Sequence, residues 1–232
     1  MNPEGYSLKE TEIEMTNQEK NRSTIIAVEG RPFYGTLIVL TLFIALMQGA
    51  WWTILAGGLL AFVMYFFRNP ERTVPADEGA VISPADGRIV QKRTVMEDRY
   101  LGGEAIKVSV FMNVFNVHMN RSPYNGKVID VDYIPGKFIN ASLDKASEFN
   151  ERNAVVMETA EGRKLLFVQI AGLVARRIVC YVKPGDTLER GERFGLIRFG
   201  SRVDVYFPTD ADIHVKVGDR VIAGETILGS IN

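Results

Sequence analysis

The sequence predicts a mostly β, α+β protein in which an apolar helical hairpin precedes the folded domain. Three observations support this: a long uncharged stretch near the N-terminus, several short β-branched runs after it, and a repeated hairpin motif near the C-terminus. With 232 residues and 47% hydrophobic content, the chain can form one domain with a sizeable core. Its net charge of −1 gives no basic excess of the kind that indicates nucleic-acid binding.

The N-terminal part divides into a polar tail over residues 1–32 and an apolar stretch over residues 33–67. No charged residue occurs between Phe33 and Phe67, and Gln48-Gly49-Ala50 divides this stretch into two halves. Each half would be roughly 24 Å long as a helix, a little short of a full bilayer span. We therefore expect a tight hairpin that spans the membrane or dips into it, with a buried helical pair in a soluble core as the alternative.

Residues at the break and at the ends of this stretch orient the hairpin. Trp51 and Trp52, next to the break, suit the bilayer interface. Arg31 precedes the stretch and Arg68 follows it, and positive residues tend to stay in the cytoplasm. This pattern predicts a cell-membrane protein whose folded domain lies on the cytoplasmic side.

Residues 68–232 are predicted to form a domain built mainly of strands. Glycine and proline punctuate this region and separate the apolar, β-branched runs from one another. The predicted strands include Ala105–Phe111, Val128–Tyr133, Leu165–Ile170, Arg177–Val182 and Val203–Phe207.

An internal repeat predicts two similar hairpins near the C-terminus. Residues 182–192 and 215–225 both have the form Val-Lys-x-Gly-Asp-x-apolar-x-x-Gly-Glu, in which each Gly-Asp and Gly-Glu marks a turn. Two such hairpins suggest a β-sandwich like those of lipoyl and biotinyl carriers. The repeat alone would favour a non-catalytic, membrane-bound carrier or adaptor, although no lysine stands at a hairpin tip in the usual Met-Lys context.

Three segments together carry a resemblance to a known enzyme family. Taken jointly they resemble the phosphatidylserine decarboxylases, in particular the short, archaeal-type branch, and the likeness runs from about Val28 to near the end. The segments are Ile82-Ser83-Pro84-Ala85-Asp86-Gly87, Phe111-Met112-Asn113-Val114-Phe115-Asn116-Val117-His118-Met119-Asn120-Arg121, and Gly191–Asp204, which contains Phe199-Gly200-Ser201-Arg202.

The resemblance implies that the chain cuts itself between Gly200 and Ser201. It implies a β chain of residues 1–200 and an α chain of residues 201–232, with Ser201 converted into a pyruvoyl cofactor. A serine hydroxyl needs a base to become nucleophilic. His118 is the implied base, with Asp86 holding its ring as in serine-hydrolase triads. Without the resemblance, His118 could equally be a packed core residue, and Asp86 and Gly200–Ser201 could be turn residues.

The resemblance also implies the substrate and the partners. The pyruvoyl group would condense with the amine of phosphatidylserine and withdraw electrons as carbon dioxide leaves, giving phosphatidylethanolamine. The implied partners are this lipid, the bilayer and the two chains of the same proenzyme; a homodimer and another amino-acid-headed lipid substrate stay open.

Two histidines and one cysteine lack metal-ligand spacing, so no metal is predicted. Candidates for contact with the lipid phosphate, each with a structural or solvated role as its alternative, are Arg176, Arg177, Arg198 and Arg202.

Two features of the sequence depart from the longer bacterial branch of the family. Phe115 stands where that branch has a second histidine, so any proton transfer by that histidine must be performed by another group. Leu228-Gly229-Ser230 looks like the cleavage motif of the long branch. It lies beside the second hairpin repeat, and cleavage there would leave an α chain too short to be held, so Ser201 is the predicted site.

Overall fold

The computed structural model describes residues 24–47, 49–142, 146–172, 177–198 and 200–231. Within these ranges, a pair of long helices is followed by fourteen strands and one short helix. The mostly β, α+β prediction is therefore confirmed. The part of the predicted polar tail over residues 1–23 lies outside the described residues.

Two apolar helices form the predicted N-terminal hairpin. A 3-10 turn (Val28–Gly30) leads into helix α1 (Arg31–Met47), and helix α2 (Ala50–Phe66) follows. The stretch Val28–Met47 is long and apolar enough to cross a membrane, judged by length and composition, whereas α2 is shorter. No described side chain of α1 is buried, and those of α2 that are buried lie near its C-terminal end. The apolar surface of the hairpin is therefore open along most of its length and covered only at its base.

An antiparallel eight-stranded sheet carries most of the core. Apolar side chains on one of its faces form the main cluster, and α3 (Ala146–Phe149) covers part of the other face. In spatial order the strands are β13 (Arg220–Val221), β2 (Gly87–Glu97), β3 (Gly103–Met112), β11 (Ser201–Phe207), β7 (Lys164–Ala171), β6 (Arg152–Glu158), β5 (Gly126–Ile134) and β9 (Thr187–Leu188). Strand β11 is thus an interior strand, held between β3 and β7.

Two three-stranded sheets complete the described fold. One contains β1 (Ala80–Ile82), β14 (Ile227–Ser230) and β12 (Asp212–Ile213). The other contains β4 (Met119–Arg121), β10 (Arg193–Ile197) and β8 (Ile178–Cys180). The second sheet supports the hairpin, because its apolar side chains share one cluster with those at the C-terminal end of α2.

The repeated hairpin motif occupies equivalent positions at opposite ends of the eight-stranded sheet. Strand β9 follows the turn at Gly185 and β13 follows the turn at Gly218, where φ is +101° and +99°. A positive φ is readily adopted by glycine, which explains its place in both repeats. Asp186 and Asp219 each accept the backbone N–H three positions earlier at 3.0 Å. The two repeats are therefore structurally equivalent.

A second repeated motif, which was not predicted from the sequence, contacts the two hairpin repeats. Ser83-Pro84-Ala85-Asp86-Gly87 and Ser122-Pro123-Tyr124-Asn125-Gly126 form matching turns. The Oδ1 atoms of Asp86 and Asn125 accept a backbone N–H from the facing hairpin repeat, at 2.8 and 2.7 Å respectively. Asp86 and Asn125 thus have the same structural role in two halves of the domain.

Candidate active site

Ser201 is the first residue of β11 and is fully buried. The residue before it, Gly200, has a φ of +71°, a conformation that favours glycine. The Ser201 hydroxyl lies 3.9 Å from the Sδ atom of Met112, which is a weak hydrogen-bond acceptor. The hydroxyl is therefore held loosely, in a dry site, beside an unusual backbone turn.

The carbonyl group of Gly200 packs directly against the backbone of Gly172. A Cβ atom placed on Gly172 would lie 2.1 Å from the carbonyl oxygen of Gly200, far inside van der Waals contact. The same Cβ would also lie 3.3 Å from the side chain of Ala141. Only glycine at position 172 leaves room for the Gly200 carbonyl, so the backbone on both sides of the Gly200–Ser201 bond is closely confined.

His118 also contacts the backbone of Gly200. It lies just before β4, is fully buried, and its Nε2 atom accepts the N–H of Gly200 at 3.3 Å. Its Nδ1 atom lies 3.0 Å from the carbonyl oxygen of Asn116 and donates to it. These two bonds assign the ring proton to Nδ1 and leave Nε2 as the free base directed at Gly200.

The surroundings of His118 keep its ring neutral. Burial lowers its pKa to about 4, because the charged imidazolium would lose its hydration. The carbonyl group of Asn116 partly opposes this change, whereas the positive charge of Arg68 adds to it. At neutral pH the imidazole is therefore in the form that can accept a proton.

The loop between β3 and β4 fixes the carbonyl group that orients His118. The N–H of Asn113 donates to the side-chain oxygen of Asn116 at 2.9 Å, and the N–H of Phe115 donates to that of Asn113 at 2.9 Å. Phe115 itself is 62% exposed. The orienting role of Asn116 was missed because it depends on a backbone carbonyl group, which any residue type provides.

The expected contact between Asp86 and His118 is not formed. Both carboxylate oxygens of Asp86 bind the Nη2 atom of Arg72, at 3.0 and 2.9 Å, and one of them also accepts the N–H of Ala223. The His118 nitrogen that Asp86 was expected to hold is bound to Asn116 instead. The structure therefore brings Ser201, Gly200 and His118 together and places Asp86 in a neighbouring turn.

The four arginines that were candidates for the lipid phosphate differ in position. Arg176 lies outside the described residues. Arg202 must be corrected: it is fully buried, pairs with Asp204 at 2.8 Å, and follows Ser201 on a strand, so it points to the opposite face of the sheet. Arg177 is exposed, and the guanidinium of Arg198 lies 5.3 Å from the ring centroid of Phe33 at the base of the hairpin.

Comparison with known proteins identifies the family of this chain. The family model described as phosphatidylserine decarboxylase matches residues 59–229. The phosphatidylserine decarboxylase proenzyme of Syntrophotalea carbinolica is 51% identical over 210 residues, covering 90% of this chain and 98% of that protein. The proenzyme of Cupriavidus pinatubonensis is 53% identical over 209 residues, covering 90% of this chain and 96% of that protein. By both measures, this chain belongs to the phosphatidylserine decarboxylase family.

Proposed function

We propose that Ser201 is the residue that this chain converts into its pyruvoyl group, with His118 as the base. As a family member the chain is an enzyme that decarboxylates phosphatidylserine to phosphatidylethanolamine, using a pyruvoyl group formed by self-cleavage. This assignment rests on one observation above all: the unprotonated Nε2 atom of His118 lies 3.3 Å from the amide nitrogen of Gly200. The base thus lies beside the residue whose carbonyl group is to be attacked.

Self-cleavage begins with the hydroxyl of Ser201. Because its contact with Met112 is weak, the hydroxyl can rotate towards the Gly200 carbonyl carbon at little cost. Its oxygen attacks that carbon while His118 takes the hydroxyl proton and passes it to the leaving amide nitrogen, which converts the peptide bond into an ester. A base then removes the Ser201 α-proton, and the Gly200 carboxylate leaves. The dehydroalanine that forms takes up water and loses ammonia.

The surroundings of Ser201 fit a small ketone at the start of β11. The residue is buried between Met112 and Ala171 of the neighbouring strands. The side chain of Asn120 donates to the Met112 sulfur at 3.8 Å, and Gln169 in turn donates to Asn120 at 2.9 Å. This chain of buried contacts fixes the wall of the site. The pyruvoyl group supplies an electrophilic carbonyl that binds the substrate amine and withdraws electrons from it.

Asp86 supports this site indirectly, by holding a turn that binds the strand next to His118. The turn that contains Asp86 presents the carbonyl oxygen of Pro84 to the N–H of Arg121 at 2.9 Å, and Arg121 ends the strand that begins beside His118. The ion pair with Arg72 therefore supports the strand from which His118 approaches Gly200. On this basis Asp86 is a positioning residue in self-cleavage.

The hairpin, residues 33–67, attaches the catalytic domain, residues 68–232, to the cytoplasmic face of the cell membrane. Trp51 at its tip is 83% exposed and Leu46 is 85% exposed, so the tip offers apolar surface to lipid. Both helix ends meet the catalytic domain, so the domain lies on one side of the bilayer only. A lipid substrate makes such attachment useful, because the headgroup must reach a buried residue.

A vesicle flotation assay tests the membrane attachment. Trp51→Lys combined with Leu46→Lys should abolish flotation with phosphatidylglycerol vesicles, because charged side chains are costly inside a bilayer. Val217→Lys, at an exposed apolar position in the catalytic domain, is the matched control and should float normally. Flotation of the tip variant at the unaltered level would contradict the proposal.

Arg198 is the best placed of the described arginines to contact the lipid phosphate. It lies two residues before Gly200 and beside the first turn of α1, where the hairpin leaves the domain. Arg198→Gln should raise KM for phosphatidylserine in vesicles several-fold while self-cleavage stays complete. Arg99→Gln, in the turn between β2 and β3, serves as the charge-matched control and should leave KM unchanged.

Intact-mass measurement tests the cleavage site. The unaltered chain should give two fragments, of which the smaller begins at position 201 and carries a pyruvoyl mass in place of serine. Ser201→Ala should give one full-length chain that does not decarboxylate phosphatidylserine. Fragments ending at Gly200 in the Ser201→Ala variant would refute the assignment.

A further inference from the structure

The C-terminal end of α2 packs on the imidazole ring of His118. Phe66, the last residue of this helix, lies with its ring centroid 4.3 Å from that of His118, and the planes are tilted by 33°. Both side chains are fully buried. The membrane hairpin therefore forms one wall of the pocket that holds His118.

Two further contacts join α2 to the loop that orients His118. The ring of Phe62 meets the edge of the Phe115 ring at 6.2 Å. Just beyond the helix, the guanidinium of Arg68 donates to the carbonyl oxygen of Phe115 at 2.7 Å and to that of Tyr65 at 2.8 Å. The helix end and the β3–β4 loop are thus fixed to each other at three points.

The base of the hairpin is itself fixed to the catalytic domain. The hydroxyl of Tyr181, beside β8, donates to the buried carboxylate of Glu29 at 2.9 Å. The chain leaving α2 is held by Arg193, which binds Asn69 at 2.7 Å, and by Arg121, which binds the carbonyl oxygen of Pro70 at 2.8 Å. The hairpin is therefore a built-in part of the domain rather than a loose tether.

We propose that Phe66 is a positioning residue for self-cleavage: its ring holds the imidazole of His118 towards Gly200 and keeps water away from it. Asn116 and Gly200 bind the two nitrogens of the imidazole, and the ring could still turn about the line that joins these nitrogens. Phe66 covers a face of the ring and removes that freedom. The hairpin thus acts in maturation as well as in membrane attachment. This inference rests on the proposed roles of Ser201 and His118.

Removing the Phe66 ring would also change the protonation of His118. Among the described residues, the charged group that affects the pKa of His118 is Arg68, just beyond the end of α2. The other polar groups that contact the imidazole are the carbonyl group of Asn116 in the β3–β4 loop and the N–H of Gly200. The low pKa of His118 comes mainly from its burial. Water admitted by a truncated Phe66 would let the pKa return towards the ordinary value of about 6.5.

The test is the pH dependence of self-cleavage. The full-length chain is made by cell-free synthesis in the presence of phosphatidylcholine vesicles, and cleavage is followed by gel and intact mass. The unaltered chain should cleave at similar rates at about pH 5.5 and pH 7.5. Phe66→Ala should cleave about tenfold more slowly at the lower pH than at the higher one, because only about a tenth of an ordinary histidine is neutral there.

Phe67→Ala is the matched control. Phe67 is equally buried in the same cluster, but its ring stacks on that of Phe33 at 5.6 Å and meets that of Phe66 edge-on at 5.1 Å. Its truncation should leave the flat pH profile unchanged. The proposal is overturned if Phe66→Ala keeps a flat profile, or if Phe67→Ala acquires the same acid sensitivity.

A second pair of variants covers the case in which the alanine variants do not fold, as judged by thermal unfolding in detergent. Phe66→Leu fills the space but lacks a flat ring, and it should cleave several-fold more slowly than Phe67→Leu at pH 7.5. Equal rates would overturn the proposal. Cleavage in Ser201→Ala would instead refute the proposed function, so the two failures are distinguishable.

Discussion

A single methyl group on Gly172 should stop maturation. Gly172 follows β7 and has no role as an acid, base or nucleophile. Its φ is not positive, so its own backbone conformation is acceptable to alanine. The effect of Gly172→Ala therefore comes from one contact, the approach of the new Cβ to the carbonyl oxygen of Gly200.

The size of the effect follows from that distance. The Cβ would lie 2.1 Å from the oxygen, whereas non-bonded carbon and oxygen atoms approach to about 3.3 Å. The Gly200 carbonyl must therefore move by about 1 Å relative to Ser201 and His118. A misplacement of about 1 Å can cost roughly 100-fold in rate, which corresponds to about 2.7 kcal/mol in the activation free energy.

The assay is a time course of cleavage after cell-free synthesis. Gly172→Ala should remain mostly full-length over times in which the unaltered chain is completely cut. Gly103→Ala is the control, because that glycine begins β3 in the same sheet, has no positive φ and has open space where its Cβ would be. Cleavage of Gly172→Ala at the unaltered rate would show that the Gly200 carbonyl is not the confined, reacting group.

Three other predictions concern the same linkage. Asp86→Asn and Arg72→Gln should slow self-cleavage to a similar extent and lower the melting temperature, because each removes the same partly buried ion pair. If only Asp86→Asn slows cleavage, Asp86 must instead act directly on His118. Ser230→Ala should mature normally, because Ser230 ends a paired strand, and failure to mature would question Ser201 as the site. In the unaltered chain, the rate of self-cleavage should be constant from about pH 5 to 8 and fall only as the pH drops towards about 4, where His118 gains its proton. A fall in the rate with its midpoint near pH 6.5 would contradict this, because about 6.5 is the ordinary pKa of a hydrated histidine.

Short motifs singled out Ser201 and His118, which the structure places close together. Both lie in segments whose residue types are themselves distinctive, and the structure places His118 against Gly200, the residue that precedes Ser201. The alternation of apolar residues and the glycine and proline punctuation likewise predicted the strands, because these patterns depend on neighbours in the chain. The apolar stretch predicted the helical hairpin for the same reason.

The supporting residues could not be predicted because their roles depend on which distant segments meet. Gly172 is constrained by the carbonyl group of Gly200, and Phe66 by the ring of His118. Hydropathy does not distinguish the buried base of the hairpin from its exposed tip. Asp86 occurs in a distinctive motif, yet its partner is Arg72, since a motif identifies a residue type but not the side chain that it faces.

The place of β11 within its sheet has a consequence for the cut protein. Cleavage before Ser201, the proposed site, would sever the covalent link between β10 and β11, but β11 would keep β3 and β7 on its two sides and β14 would keep β1. The fragment 201–232 is therefore interlocked with the larger one and should not exchange between molecules. Once heat separates the two pieces, the short one keeps only the pairing of β12 with β14 and has lost β3, β7 and β1. Melting of the mature protein should therefore be irreversible even where that of the uncut Ser201→Ala chain can be reversed.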